Sequence, residues 1–259
     1  MLMPARRLRR QLRLVPALLV PATRAVAWWP PLAAFTVSLG LLALAVRPSS
    51  VLEAEELVQW LRIAMVTGAL GWAFLLDDPS EPTTEGVAGS LLLRRALRVA
   101  LLLPATAAWW VAVVWRIRAV YPTVSLPIAA FTLEAAALLA ITMALAAAGS
   151  RLAPERRGGV VAAPALLALT SAALLLPAQV TPYAQPGSAA WDDAHQRWAL
   201  LLGLALASFA AASRDPAHRR LPSRLRGLAH VSPAAARPGR KPGAQESLDA
   251  AGRVERSAG

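Results

Sequence analysis

Residues 25–46 read AVAWWPPLAAFTVSLGLLALAV, 22 consecutive residues without a charge, between Arg24 and Arg47. At a rise of about 1.5 Å per residue, a helix of that length crosses a hydrocarbon core of about 30 Å. Similar apolar runs recur as far as Ser213, and arginine returns in the gaps between them. The chain is 56% hydrophobic, and the excess over a soluble globular composition is Ala and Leu, which favour helix. The alternating short strands of a membrane β-barrel are not present in the pattern. The expectation is an all-α fold, a polytopic membrane bundle of six transmembrane helices. The spans are expected at residues 26–46, 57–76, 93–115, 125–149, 160–180 and 198–212. The last is the shortest, with 16 uncharged residues from Trp198 to Ser213.

Loop charge orients such a bundle, because Lys and Arg are retained on the cytoplasmic side. With the N-terminus inside, the inner segments up to residue 157 hold 12 arginines: six in residues 6–24, then Arg94, Arg95, Arg98, Arg151, Arg156 and Arg157. The outer segments hold four, Arg47, Arg116, Arg118 and Arg197. Both termini are therefore expected in the cytoplasm of a multi-pass protein of the cell membrane. Trp60, Trp115, Tyr121, Tyr183, Trp191 and Trp198 gather at the outer ends of the spans, where an amphipathic ring meets the headgroups.

The domain reading is 1–24, 25–213 and 214–259. In the first, Leu8, Leu12, Val15 and Leu19 fall on one helical face opposite Arg6, Arg9, Arg10 and Arg13. That pattern describes an amphipathic helix lying in the interface plane. A signal peptide with Ala25-Val26-Ala27 as its cleavage box is the competing reading, set against a short core broken by Pro16 and Pro21. The second domain is the six-helix bundle. The third is a basic tail rich in Arg, Pro, Ala and Gly, without periodicity, read as disordered.

The net charge of +12 would suggest nucleic acid in a soluble protein. Here arginines at helix ends facing anionic inner-leaflet lipid account for it, and no nucleic-acid partner is expected. With no cysteine there is no disulfide, thiolate nucleophile or Cys-ligated metal. His195, His218 and His230 all fall outside the expected spans, which argues against an intramembrane hydrolase. Glu55-Glu56 followed by Arg62 resembles the paired-glutamate motif of intramembrane prenyl-protein proteases, but that family also needs histidines on later helices. Asp192, Asp193 and His195 in the segment 181–197 read as solvated rather than as metal ligands. The one lysine, Lys241, is followed by Pro242, so no phosphate-cradling loop is present. No enzymatic activity, cofactor or metal is expected.

Two charges remain inside the expected spans, Arg62 about one turn from the outer end of the second and Glu134 two to three turns into the fourth. A charge at such depth is costly and is a functional hypothesis by default. Arg62 can snorkel, whereas Glu134 is too short and must face the bundle. The two are expected to form an intramembrane ion pair, with a structural and a transport role both open.

Six spans, an amphipathic segment before the first, an inner loop between spans two and three, and a long outer segment between spans five and six together resemble the permease subunits of type-two ABC exporters. Leu75-Leu76-Asp77-Asp78-Pro79, followed by Arg94-Arg95-Ala96-Leu97-Arg98, is also similar to actinobacterial membrane proteins that accompany ABC ATPases. The resemblance covers residues 5–213. It implies an elbow helix at 6–19 and an ATPase-coupling region at 77–98, with Asp77, Asp78, Glu81, Glu85, Arg94, Arg95 and Arg98 as its charged residues. It further implies a separate ABC ATPase subunit and a homodimer or heterodimer with a second permease. The reading from a different class is a membrane scaffold or assembly protein that transports nothing.

Overall fold

The computed structural model describes residue 23 and residues 27–77, 91–152, 157–177 and 179–214. The expected interfacial helix, most of the inner loop after Asp77 and the basic tail beyond Arg214 lie outside the described residues. Within them the fold is all-helical, with six helices and no strand: α1 Trp29–Ala45, α2 Ala54–Trp72, α3 Leu91–Val120, α4 Ile128–Leu152, α5 Gly158–Leu174 and α6 Trp191–Ala212. Two of them, α3 and α4, are long and apolar enough to cross a membrane. α1 and α5 are apolar but have 17 residues each. α2 carries Glu55, Glu56 and Arg62, and α6 carries Asp192, Asp193 and Arg197.

Local chemistry explains most of the boundaries. Pro30 and Pro31 open α1, where their missing N–H groups cost nothing. The Glu56 carboxylate accepts the Glu53 N–H at 3.0 Å and closes the first turn of α2. Glu55 and Glu56 thus serve a helix start, where negative charge complements the macrodipole. α6 departs most from the sequence reading. It begins at Trp191, seven residues before the expected start, so His195 and Arg197 are helical and not part of a loop. α5 ends at Leu174, six residues before the expected limit.

Contacts at the helix ends fix the direction of each helix. A Cβ on Gly71, near the end of α2, would meet Pro31 at the start of α1. Asp77, just past α2, meets Gly159 at the start of α5. Arg95, early in α3, reaches Ser150 at the end of α4 and Ala212 at the end of α6. At the opposite end Arg116 of α3 donates to the Val46 carbonyl after α1, and Tyr121 bonds Ser50. Successive helices therefore run in alternating directions. α4 is the hub, packing on α2, α5 and α6, while α1 packs on α2 and α3.

Small residues let these helices approach. A Cβ at Gly68 would lie 2.5 Å from the Trp109 ring, and one at Gly71 would lie 2.6 Å from Pro31 Cα. Trp109 stacks on Phe35 at 5.0 Å and donates its Nε1 hydrogen to Ser38 Oγ at 3.2 Å. Ser38 in turn donates to the Ala64 carbonyl at 2.9 Å. This knot joins α1, α2 and α3. Leu32, Val37, Leu41 and Leu44 of α1, Val111 and Trp115 of α3, and Leu200, Leu204 and Leu206 of α6 point outward, so much of the outer surface is apolar.

Gly68→Ala should lower unfolding stability by about 1–3 kcal/mol, the cost of overpacking a filled site. Gly40→Ala, whose Cβ meets nothing within 4 Å, should be neutral or slightly stabilising. Thermal unfolding of the two variants side by side checks both.

Candidate functional site

Arg62 and Glu134 meet between α2 and α4, and both are buried, at 4% and 0% exposure. Arg62 Nε donates to Glu134 Oε2 and Nη2 to Oε1, each at 3.2 Å. This is the bidentate fork that a planar guanidinium makes with a carboxylate. The same guanidinium donates from Nη2 to the Ala184 carbonyl at 2.6 Å and from Nη1 to the Tyr183 carbonyl at 3.3 Å. Its flat faces lie near two rings, 5.9 Å from the Phe131 centroid and 5.2 Å from that of Tyr183.

The segment between α5 and α6 is the cap of this site. It forms no regular structure from Thr181 to Gln185, so its carbonyls need donors from elsewhere. Side chains supply them. Arg197 donates to the Gln179 and Thr181 carbonyls at 2.7 and 3.0 Å. Trp198 Nε1 donates to Pro182 at 2.8 Å, and Arg62 serves Tyr183 and Ala184. Ala184 is buried as a result. A segment expected as a solvated outer loop is folded onto the bundle.

His195 joins the cluster from α6. Its Nδ1 lies 2.8 Å from the Trp191 carbonyl, an acceptor, so Nδ1 carries the hydrogen of that bond. Nε2 then faces Glu134 Oε1 at 3.5 Å. The ring leans on Trp191, centroids 4.0 Å apart, and Trp191 meets Phe131 edge-on at 5.8 Å. Asp192 and Asp193, in the first turn of the same helix, are exposed. Among the described residues no three His, Asp or Glu side chains converge as a metal-ligand set.

Tyr183 lies between helices, packed edge-on against Trp198 at 5.4 Å. Burial, and then the nearby Glu134 carboxylate, push its phenol up to about 12, against a smaller opposing pull from Arg62.

Of the seven residues assigned to the coupling region, Asp78, Glu81 and Glu85 lie outside the described residues. The others are turned toward the protein itself. Asp77 Oδ1 accepts the Gly159 N–H at 2.9 Å, capping the start of α5. Gly159 permits this approach, since a Cβ there would lie 2.7 Å from Asp77 Oδ2. Burial raises the Asp77 carboxyl above its ordinary value, outweighing the backbone bonds from Gly159 and Gly158 and the charge of Arg157. Arg95 is buried, donating to Ser150 Oγ at 2.7 Å and to the Ala212 carbonyl at 3.3 Å. Arg98 is buried on the same helix, and Arg94 is partly buried.

The sequence points to Arg62 and Glu134, and the structure brings them together. His195, expected as solvated, is instead half-buried beside Glu134, and Phe131 and the carbonyls of Tyr183 and Ala184 complete the cluster unannounced by the sequence. A signal for His195 was present. Asp192-Asp193 is an acidic first turn, and Trp191, His195 and Trp198 share one face at helical spacing, which together mark a helix starting before Trp198. Comparison with protein-family models, curated proteins and solved structures finds no match to this chain.

Arg62→Gln and Glu134→Gln should each destabilise the fold by about 3–5 kcal/mol, since each leaves a buried charge without its partner. The double variant should cost clearly less than their sum. A chemical-denaturation cycle on the four proteins measures the coupling, and strict additivity would exclude it.

Ultraviolet titration of a Tyr121→Phe variant isolates the Tyr183 phenol and should show its ionisation near pH 12. The folded-state value lies above the unfolded value near 10, so the buried neutral phenol stabilises the fold fully below pH 10. That contribution is lost as pH rises from 10 through 12, and Tyr183→Phe should flatten this part of the stability profile.

Proposed function

We propose that this chain is a multi-pass membrane permease, with six membrane-crossing helices, both termini in the cytoplasm and no chemistry of its own. The observation that carries the membrane part is the distribution of polarity. Leu, Val and Trp side chains line the outer faces of α1, α3 and α6, while Arg62, Glu134, Ser38 and Thr142 are buried. Helices that face lipid present apolar side chains outward and turn ionisable groups toward the interior. The carbonyls of Gln179 and of Thr181 to Ala184 also have protein donors, so the irregular α5–α6 segment rests on the bundle without needing water for those groups. The alternating helix directions and the 12-to-4 arginine bias agree with this orientation.

In this reading the subunit pairs with a second permease, identical or different, and a separate ABC ATPase supplies the energy as in type-two ABC exporters. Asp77 gives the coupling a physical route. It lies at the root of the 78–90 segment and holds the N-terminus of α5, so displacement of that segment reaches both α2 and α5. The Arg62–Glu134 pair ties α2 to α4 at the opposite end and holds the outer cap.

A non-transporting membrane scaffold is the second reading. It is favoured by the inward commitment of Asp77, Arg95 and Arg98, which leaves recognition of an ATPase to Asp78, Glu81 and Glu85.

Reversing those three carboxylates to Arg should abolish co-purification of the ATPase without loss of membrane insertion. Insertion is read by reporter fusions, expected outside at Ser50, Thr123 and Pro186 and inside at Ser80 and Pro154. Reversing Asp77 should instead destabilise the chain. If the wild-type protein retains no ATPase after gentle solubilisation, and its loss from the cell changes no export, the scaffold reading replaces the permease.

A further inference from the structure

α5 and α6 both pack on α4 and diverge from one another, leaving a crevice of about 590 Å³. Leu138 and Ile141 of α4 form its floor, Leu169 and Ala173 of α5 one wall, and Leu201 and Leu204 of α6 the other. Its volume is that of clefts that hold small molecules, about 300–1,000 Å³. Its lining is almost wholly apolar, and besides Arg197 the polar side chains on it are Thr170, Trp198 and the Tyr183 phenol. The Thr170 hydroxyl donates to its own helix, to the Leu166 and Leu167 carbonyls, and Trp198 Nε1 is taken by Pro182.

One charge lines the crevice, and it stands at one end. Arg197 is held by the Gln179 and Thr181 carbonyls through two of its five N–H groups. Among the described residues no carboxylate forms an ion pair with it. From Arg197 to Leu204 the crevice follows α6 for seven residues, about 10 Å, within the roughly 15 Å half-thickness of a hydrocarbon core. Leu169, Leu200 and Leu204 are exposed, so the opening lies along the outer surface of the bundle. An apolar slot open to the side, with a fixed guanidinium at the end nearest the outer headgroups, matches an alkyl chain ending in an anion.

We propose that this crevice is a binding site for an anionic phospholipid of the surrounding bilayer, with an acyl chain between α5 and α6 and the phosphate-bearing headgroup on Arg197. The proposal rests on the membrane reading above. It gives the exposed Leu169 of α5 a partner that the protein itself does not supply. The lipid would brace the same 179–184 segment that caps the Arg62–Glu134 pair.

The test starts with carbonate extraction, which leaves an integral membrane protein in the pellet. The full chain is then purified in mild detergent, and phosphatidylglycerol or phosphatidylcholine of identical acyl chains is titrated while bound lipid is counted by native mass spectrometry. One phosphatidylglycerol should bind tightly, with phosphatidylcholine at least tenfold weaker. Ala173→Phe, which fills the slot, should remove the tight site. Arg197→Gln should abolish the headgroup preference, and Arg197→Lys should keep most of it. Equal binding of the two lipids overturns the proposal, as does a tight site indifferent to Ala173→Phe. So does a wild-type dimer that Ala173→Phe dissociates, because a second copy would then fill the crevice. A chain stripped by carbonate overturns the membrane reading and this proposal together. A chain that stays in the pellet but shows no headgroup preference overturns this proposal alone.

Discussion

The structure turns on one shortage of hydrogen-bond donors. The segment joining α5 to α6 folds onto the bundle without forming helix or strand, so its carbonyls have no ladder to join. Glu134, fully buried, adds two more acceptor oxygens at the same place. Arg62 answers both demands, since its planar fork spans the carboxylate while its remaining hydrogens reach the Tyr183 and Ala184 carbonyls. A lysine could supply the charge but not this geometry. The pair therefore joins three parts of the chain, α2, α4 and the cap.

Removing charges from water is expensive, and a buried ion pair is weak grounds for claiming stability. Specificity is the better account here. α4 is apolar along most of its length, and many rotations about its axis would bury its Ala and Leu about equally well. Only one rotation sets Glu134 against Arg62, and only one seating of the 181–185 segment offers its carbonyls to the same guanidinium. The aromatic shell of Phe131, Tyr183, Trp191 and Trp198 then excludes water, which raises the cost of every alternative.

The opposite end of the bundle is organised by the same chemistry with different partners. Arg95 and Arg151 donate to the carbonyls that end α6, where a helix leaves acceptors unmatched and positive charge is favoured. Asp77 caps the start of α5, where a helix leaves donors unmatched. Charges that a sequence reading offers to an outside partner are thus used to close helix ends. Arg95 and Arg151, which the sequence counts among the expected inner-side arginines, are also the clamps that hold the helix ends.

The sequence by itself determined the helical class, the six helices found among the described residues and the two charges that had to be buried. These follow from composition and period, which act within one turn or one span: Ala and Leu favour helix, and a carboxylate two turns inside an apolar run has no water to reach. It also carried a signal for the early start of α6, in Asp192-Asp193 and the spacing of Trp191, His195 and Trp198, which apolarity alone hides because those turns are polar. That Arg62 and Glu134 pair is expected from two uncompensated charges; the tertiary structure decided the bidentate geometry of that pair across 72 residues, and it alone gave Arg62 the Ala184 carbonyl across 122. It alone seated His195 beside that carboxylate and turned Asp77 inward to α5. No local rule contains such pairings. A donor's partner is whichever unmatched acceptor the packing of α2, α4, α5 and α6 brings within about 3 Å, and that packing is a property of the whole bundle.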